Sequence, residues 1–156
     1  MSCETIPHHI HVACAIIERD GLVLAAQRSA AMSLPLKWEF PGGKIEPGES
    51  LVECLVRELH EEMGVTIGVG KPLAVTTHSY STFTVSLHPF VCSIEAGTIV
   101  LHEHAKIAWV APDQLPLLDW AEADGPIIAD YLQLFSESTP VPGCGGQDSL
   151  ELARLQ

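Results

Sequence analysis

Three glutamates, Glu58, Glu61 and Glu62, have a spacing that could bind a metal ion. At about 100° per residue, helix positions i, i+3 and i+4 fall within roughly one quarter of the circumference, so the three carboxylates would lie side by side. Carboxylate oxygens grouped in this way suit hard cations such as Mg²⁺, Mn²⁺ or Ca²⁺, and magnesium sites of this kind commonly serve phosphate chemistry. A solvated acidic helix face has the same spacing, so the surrounding residues must decide between the two interpretations.

Residues 50–63 are predicted to form the helix that carries these glutamates. Ser50 can cap its first turn, Glu53 three positions later completes a capping box, and Gly64 is suited to end the helix in a left-handed conformation. A buried stripe is predicted from the helical spacing of Val52, Leu55, Val56, Leu59 and Met63. The carboxylates flank this stripe, so we expect them at the edge of the core, facing a cleft.

The other elements predict one mixed α/β domain over residues 1–135. Two strands, 8–17 and 22–27, are joined at Asp20-Gly21, which is a strong hairpin signal. Further strands are predicted at 72–77, 83–92 and 106–111, with loops at 29–37 and 112–125. A second helix starts at Gly125-Pro126, where proline suits the first position. Residues 136–156 are rich in Ser, Pro and Gly and are predicted to be a flexible C-terminal tail.

The residues around the glutamates resemble the sequence box of the Nudix hydrolases. Residues 43–65 match GX5EX7REUXEEXGU, with U apolar, at every specified position. The preceding run, KWEFPGGK at residues 37–44, is similar to that of the MutT-type and CTP pyrophosphohydrolase subgroup. Glu103 with Trp109 and residues 123–127 are similar as well, so the resemblance covers about residues 10–135. It implies the Nudix fold, a mixed β-sheet sandwiched between helices.

The resemblance also implies the residues that bind the metal. Glu58, Glu61 and Glu62 would bind Mg²⁺, with Mn²⁺ as a substitute. The backbone carbonyl of Gly42 would be a further ligand, and Glu103 would approach the metals and help to activate water. The sequence does not decide which glutamate is the general base.

Arg57 and Glu49 complete the catalytic group that the resemblance implies. We expect them to form an ion pair that orients the metal-binding glutamates. The expected reaction is attack of water at the β phosphorus of a nucleoside triphosphate, which releases the monophosphate and pyrophosphate.

Substrate recognition is assigned to Arg28, Phe40 and Asp124. The resemblance implies that Arg28 contacts phosphate, although a solvated charge at the end of a strand is the alternative. Phe40 is expected beside the base or in the core. Asp124 stands where MutT has an asparagine, and an ionised aspartate only accepts hydrogen bonds. It suits the amino group of cytosine better than 8-oxoguanine. Asp124 could also cap the following helix.

Composition excludes several classes of function. Eight Lys and Arg against twenty Asp and Glu give a formal net charge of −12, which argues against binding nucleic acid by charge. No apolar run approaches the roughly 18 residues of a membrane span, and the N-terminus does not resemble a signal peptide. Five cysteines with no CxxC pair indicate reduced thiols and a cytoplasmic location. We expect a monomer or a homodimer.

The sequence therefore predicts an Mg²⁺-dependent nucleoside triphosphate pyrophosphohydrolase. Its expected substrates are 8-oxo-dGTP, CTP or dCTP, and its expected role is sanitation of the nucleotide pool, which contributes to DNA repair. Two alternatives remain: a Nudix-fold module that senses a nucleotide without cleaving it, and a hydrolase of another nucleoside diphosphate derivative such as ADP-ribose. The intact box disfavours the first alternative, and residues 37–44 disfavour the second.

Overall fold

The computed structural model describes residues 8–137, so the predicted tail lies outside it except for its first two positions. The strands are β1 (His8–Arg19), β2 (Leu22–Gln27), β3 (Trp38–Glu39), β4 (Gly42–Lys44), β5 (Thr66–Pro72), β6 (Thr76–Ser79), β7 (Phe83–Ala96) and β8 (Lys106–Val110). The helices are α1 (Leu51–Met63) and α2 (Gly125–Glu137), with short 3₁₀-helices at Pro112–Leu117 and Glu122–Asp124. Within the described residues, no helix is both long enough and apolar enough to cross a bilayer.

The eight strands form one mixed sheet around β1 and β7. The strand order is β3-β2-β1-β7-β5, and β4, β6 and β8 pair with β1, β7 and β2 respectively. β1 and β7 run parallel from the pair His8 and Phe83 to the pair Ile17 and Cys92, whereas the other pairings are antiparallel. This long central pairing supports the shorter strands β3 and β4, which lead into α1.

The two faces of β1 separate the two halves of the core. Ala13, Ala15 and Ile17 pack in one cluster with the α1 residues Leu55 and Leu59. The alternate β1 residues pack in a second cluster with α2, because successive strand side chains point to opposite faces. The predicted sheet between helices is therefore confirmed.

The signals that delimit α1 act as predicted. The Ser50 hydroxyl accepts a hydrogen bond from the Glu53 backbone N–H at 3.0 Å, and the Glu53 carboxylate accepts one from the Ser50 N–H at 3.0 Å. Gly64 ends the helix with φ 71°. The hairpin is also confirmed, since Asp20 and Gly21 both have positive φ, 55° and 77°.

The predicted helix stripe was wrong at Val52. Val52 is 44% exposed, whereas Cys54 is fully buried, with its thiol 3.4 Å from the Gly43 carbonyl oxygen. Helical periodicity gives the direction of a side chain but not how far the sheet extends beneath the first turn. At this first turn, β4 packs against Cys54, whereas the Val52 side chain is exposed to solvent.

The predicted strand at residues 72–77 was also wrong. β5 ends at Pro72 and β6 begins at Thr76, so the predicted strand spans the gap between two real ones. Gly68 and Gly70 both lie inside β5. A Cβ at Gly70 would come within 2.9 Å of the Val91 carbonyl oxygen, and one at Gly68 would collide with the Glu95 carboxylate. These glycines allow close approach within the sheet.

Two further predictions concern the loop at 112–125 and the cysteines. Much of that loop is 3₁₀-helix, and Pro112 takes the first position of one segment, where a missing N–H has no cost. Cys14, Cys54 and Cys92 are free buried thiols, as predicted. The other two cysteines lie outside the described residues.

Candidate active site

A cleft of about 400 Å³ is lined by two of the predicted metal ligands, Gly42 and Glu62, and by all three predicted substrate residues, whereas Glu58, Glu61 and Glu103 are not part of its lining. Glu62 of α1 lines it together with Gly42 and Gly43 of β4. Asp124 lines it as well, with apolar and aromatic side chains of β1, β7 and the adjoining loops, which include Val12, Phe40, Tyr80, Phe83 and Val85. A lining that combines carboxyl groups with apolar and aromatic side chains suits a ligand with a charged part and a flat apolar part.

Arg57 holds the glutamates of α1 in place. Its Nε and Nη2 donate to the two carboxylate oxygens of Glu49 at 2.6 and 3.0 Å, so the predicted ion pair is present. These bonds lower the pKa of Glu49 to about 2. Arg57 Nη1 also lies 3.0 Å from Glu58 and 3.2 Å from Glu61. This one cation therefore offsets much of the repulsion among the carboxylates.

The three glutamates of the box differ in environment. The Glu61 side chain is 59% exposed and turns toward Arg57. Glu62 is mostly buried, and its Oε1 lacks a hydrogen-bond partner among residues 8–137. Burial first, and then the charges of Glu58, Glu103 and Glu39, raise the pKa of Glu62 far above its usual range. A cation beside Glu62 would give Oε1 a partner and would offset the burial and negative charges that raise the pKa.

The backbone of β4 is shaped around the same carboxylates. A Cβ on Gly43 would collide with the Glu58 carboxyl group, so a larger residue there would displace that carboxylate. The Ala15 N–H donates to Pro41 O at 2.8 Å, and the Ile45 N–H donates to His11 O at 3.1 Å. Antiparallel bonding alternates, so the Gly42 carbonyl points away from β1.

These oxygen donors fit Mg²⁺ or Mn²⁺. Glu62 offers a buried oxygen without a partner, Glu58 is packed against Gly43, and the Gly42 carbonyl is not used by the β1–β4 ladder. Hard cations bind such oxygen sets, completed by water and substrate phosphates. In the described part of the chain, no three His, Cys, Asp or Glu side chains already converge on one point. Glu61 would therefore have to leave Arg57 to join the site.

Glu103 approaches this group from a different part of the chain. It is exposed and lies between β7 and β8. The neighbouring His102 N–H donates to the Glu62 carbonyl oxygen at 3.2 Å, which fastens this segment to the end of α1. Glu103 is close enough for its charge to raise the pKa of Glu62. The structure thus brings Glu103 to the predicted metal residues.

Sequence reasoning missed the contacts of Glu39, including the one with His104. Arg28 Nη1 donates to Glu39 Oε1 at 2.6 Å, and His104 Nε2 lies 2.8 Å from Glu39 Oε2. Arg28 Nε also donates to the Ser33 carbonyl at 2.6 Å. Arg28 is therefore mostly buried in an ion pair and is not a solvated charge. The signals were present, since Glu39 lies in the run before the box and His104 follows Glu103.

Phe40 and Asp124 both line the cleft. The Phe40 ring is buried against Trp120, with centroids 4.8 Å apart, so it belongs to the core as well as to the cleft lining. Asp124 is 5% exposed, and its Oδ2 lacks a partner among the described residues.

The environment of Asp124 disfavours the ionised carboxylate that the sequence argument assumed. Burial, and then the charge of Glu39, raise the pKa of Asp124 well above its usual value, against the smaller effects of a hydrogen bond from the Phe40 backbone and the charge of Arg28. A raised pKa favours the neutral carboxyl group, which can donate through O–H while accepting through C=O. The sequence argument against 8-oxoguanine assumed the ionised form, and it would not apply to a neutral Asp124.

Comparisons with known proteins agree with this geometry. The NUDIX domain family matches residues 7–131. The chain is 40% identical over 125 residues to the CTP pyrophosphohydrolase of Escherichia coli K12, which covers 80% of this chain and 93% of that protein. It is 30% identical over 119 residues to the 8-oxo-dGTP diphosphatase of Buchnera aphidicola, covering 76% and 89% respectively. The solution structure of the E. coli ORF135 protein superposes with a TM-score of 0.74 at 36% identity, covering 86% of this chain and 96% of that one.

Proposed function

The chain belongs to the Nudix hydrolase family, and we propose that it is an Mg²⁺-dependent pyrophosphohydrolase of nucleoside triphosphates. The observation that carries this proposal is the shared cleft of Glu62, Gly42 and Asp124. This cleft contains the Glu62 carboxylate, whose buried Oε1 lacks a hydrogen-bond partner among residues 8–137, together with Asp124 and apolar side chains that suit a base. The related proteins named above act on CTP and 8-oxo-dGTP, which supports the same substrate class.

The predicted ligands are well placed to hold a divalent metal. Nudix hydrolases generally need one. Glu58, Glu62 and the Gly42 carbonyl would hold Mg²⁺ or Mn²⁺, with Glu61 joining after release from Arg57 and Glu103 approaching from its loop. When bound, the metal supplies the positive charge that a polyphosphate needs and acidifies a water molecule. The protein's formal charge of −12 makes this contribution necessary.

Residues of the chain itself orient the glutamates and accept the proton of the attacking water. Arg57 and Glu49 keep the α1 glutamates oriented through the bidentate pair described above. Glu103, as an exposed carboxylate beside Glu62, accepts the proton of the attacking water. The water oxygen bonds to the β phosphorus, and the bond from that phosphorus to the α–β bridging oxygen breaks. The products are a nucleoside monophosphate and pyrophosphate.

Asp124 is proposed to read the base as a neutral carboxyl group. Cytosine presents an amino donor beside a ring acceptor, and 8-oxoguanine presents N7–H beside O6, so each offers one donor and one acceptor. Unmodified guanine presents two acceptors, N7 and O6, at the corresponding edge. A carboxyl group that donates once and accepts once therefore matches cytosine and 8-oxoguanine and discriminates against guanine. Arg28 is proposed to contact the phosphates with donors that Glu39 and Ser33 leave unused.

A panel of triphosphates tests this function directly. Pyrophosphate release from CTP, dCTP, 8-oxo-dGTP and dGTP is measured with Mg²⁺ and again after chelation. We expect release from CTP, dCTP or 8-oxo-dGTP, little from dGTP, and none without metal. Glu61→Gln should lower kcat by about 10²-fold or more, because the charge of one ligand is lost. Asp113→Asn, which removes an exposed carboxylate outside the cleft, should leave kcat unchanged. Unchanged turnover in Glu61→Gln would exclude the metal assignment.

The cellular role is proposed from the same chemistry. Removing 8-oxo-dGTP prevents its incorporation into DNA, so we propose nucleotide-pool sanitation in the cytoplasm, where free thiols such as Cys14 stay reduced. The acidic surface favours small phosphate substrates brought with metal over nucleic acid. We propose that the protein works as a monomer or a homodimer.

A further inference from the structure

The loop that carries Glu103 is fastened on both sides of this residue. Residues 97–105 have no regular secondary structure. Before Glu103, the Val100 and His102 N–H groups donate to the carbonyl oxygens of Met63 and Glu62 at 2.9 and 3.2 Å. After it, the Ala105 N–H donates to Gln27 O at 2.8 Å. Glu103 thus lies exposed between attachments to α1 and to β2.

The side chain of His104 is the buried attachment in this loop. Its side chain is 1% exposed, and Nε2 lies 2.8 Å from Glu39 Oε2. The second oxygen of Glu39 accepts from Arg28 at 2.6 Å, so Glu39 is a carboxylate and His104 Nε2–H is the donor. Nδ1 of His104 is buried and lacks a partner among residues 8–137. The contact with Glu39 is therefore the hydrogen bond that fixes the ring.

We propose that His104 is a positioning residue, which acts through Glu39 to hold the Glu103 carboxylate beside Glu62. His104 is buried whereas the neighbouring Glu103 is exposed, and the charge of Glu103 reaches Glu62. An unanchored loop residue samples many conformations, and fixing its backbone costs conformational entropy. Because the hydrogen bond of His104 is already formed in the folded protein, the backbone around Glu103 is ordered before substrate binds. This inference rests on the proposed function, because it concerns the proton acceptor of that reaction.

Two substitutions at His104 separate hydrogen bonding from packing. His104→Leu fills the buried space but removes the donor, whereas His104→Gln places an amide N–H near the position of Nε2. We expect His104→Leu to lower kcat by about 10- to 100-fold with KM changed less than about 3-fold, because a 1 Å misplacement of a catalytic group can cost 10²-fold. His104→Gln should recover most of kcat. His102→Gln, an exposed change on the other side of Glu103, is the matched control and should match the wild type.

A double-mutant cycle shows whether His104 acts through Glu103. If it does, Glu103→Gln and the double variant Glu103→Gln/His104→Leu should have the same kcat within about 3-fold, because the anchored group is already disabled. Multiplying losses would overturn the proposal. So would full activity of His104→Leu, or equal loss in His104→Gln and His104→Leu.

Thermal melting of each variant shows whether it is folded. If His104→Leu does not fold, His104→Asn decides the proposal, because its shorter amide does not reach Glu39: it should lower kcat relative to His104→Gln, and equal kcat of the Asn and Gln variants would overturn the proposal. Absence of pyrophosphate release from the wild type would instead overturn the proposed function.

Discussion

Substitution of Asp124 tests whether a neutral carboxyl group reads the base. Asp124→Asn keeps the shape, one donor and one acceptor, so we expect kcat/KM within about 3-fold of wild type near pH 7. Asp124→Ala removes both hydrogen bonds at a position that is 5% exposed. Two lost bonds of roughly 0.5–1.5 kcal/mol, with base groups left unpaired in a buried recess, amount to about 2–4 kcal/mol. That free energy corresponds to a loss of roughly 30- to 10³-fold in kcat/KM.

The pH dependence of the two proteins should differ in a predictable direction. The pKa of Asp124 is raised by burial and by Glu39, so wild type loses its O–H donor as the pH rises through that pKa, while Asp124→Asn does not ionise. The ratio of kcat/KM, Asn variant over wild type, should rise as the pH rises through the pKa of Asp124. The contribution of Asp124 to the stability of the fold also decreases as the pH rises. The contribution of neutral Asp124 is fully present below its unfolded-state pKa and is lost as pH rises through the folded pKa.

The assay is pyrophosphate release from 8-oxo-dGTP and CTP with saturating Mg²⁺, with thermal melting of each variant as the control for folding. If Asp124→Asn falls as far as Asp124→Ala near neutral pH, Asp124 works as a carboxylate and the reasoning from burial is refuted. A constant ratio of the two proteins across the pH range would refute it as well.

Two further predictions concern packing. Gly43→Ala should lower kcat by about 10-fold or more and unfold more readily by about 1–3 kcal/mol, because the new Cβ collides with the Glu58 carboxyl group. Gly125→Ala, where a Cβ meets nothing within 4 Å, should leave activity unchanged, and equal activity of both variants would contradict this account. In urea unfolding, Leu59→Ala should lose about 2–5 kcal/mol, and Val52→Ala less than about 1 kcal/mol. Similar losses in the two would mean that Val52 is buried after all.

The local elements could be predicted because their signals lie within a few residues. The capping box of Ser50 and Glu53, the left-handed Gly64 and the Asp20-Gly21 turn depend on backbone conformations that neighbouring residues decide. The alternation of side chains along β1 similarly fixed which residues face each helix. The box of glycine, arginine and glutamates at residues 43–65 indicated the family and its metal chemistry.

The errors arose where distant segments decide the environment. Val52 has the right helical phase, but exposure depends on whether a strand lies beneath it. Gly68 and Gly70 lie inside β5 because β7 passes close to them. No local pattern encodes either contact.

The sequence by itself determined the helix of glutamates, its caps and the class of reaction, since these follow from residue type and short-range spacing. Only the tertiary structure decided the burial and the pKa values of the carboxyl groups in the cleft. Folding removed water from Asp124 and Glu62 and brought Glu39 close to both, which raised their pKa values. It also joined Arg28 to Glu39 and Glu39 to His104 across 11 and 65 positions of sequence. Burial and electrostatic fields depend on every group in the neighbourhood, so they exist only after the chain has folded.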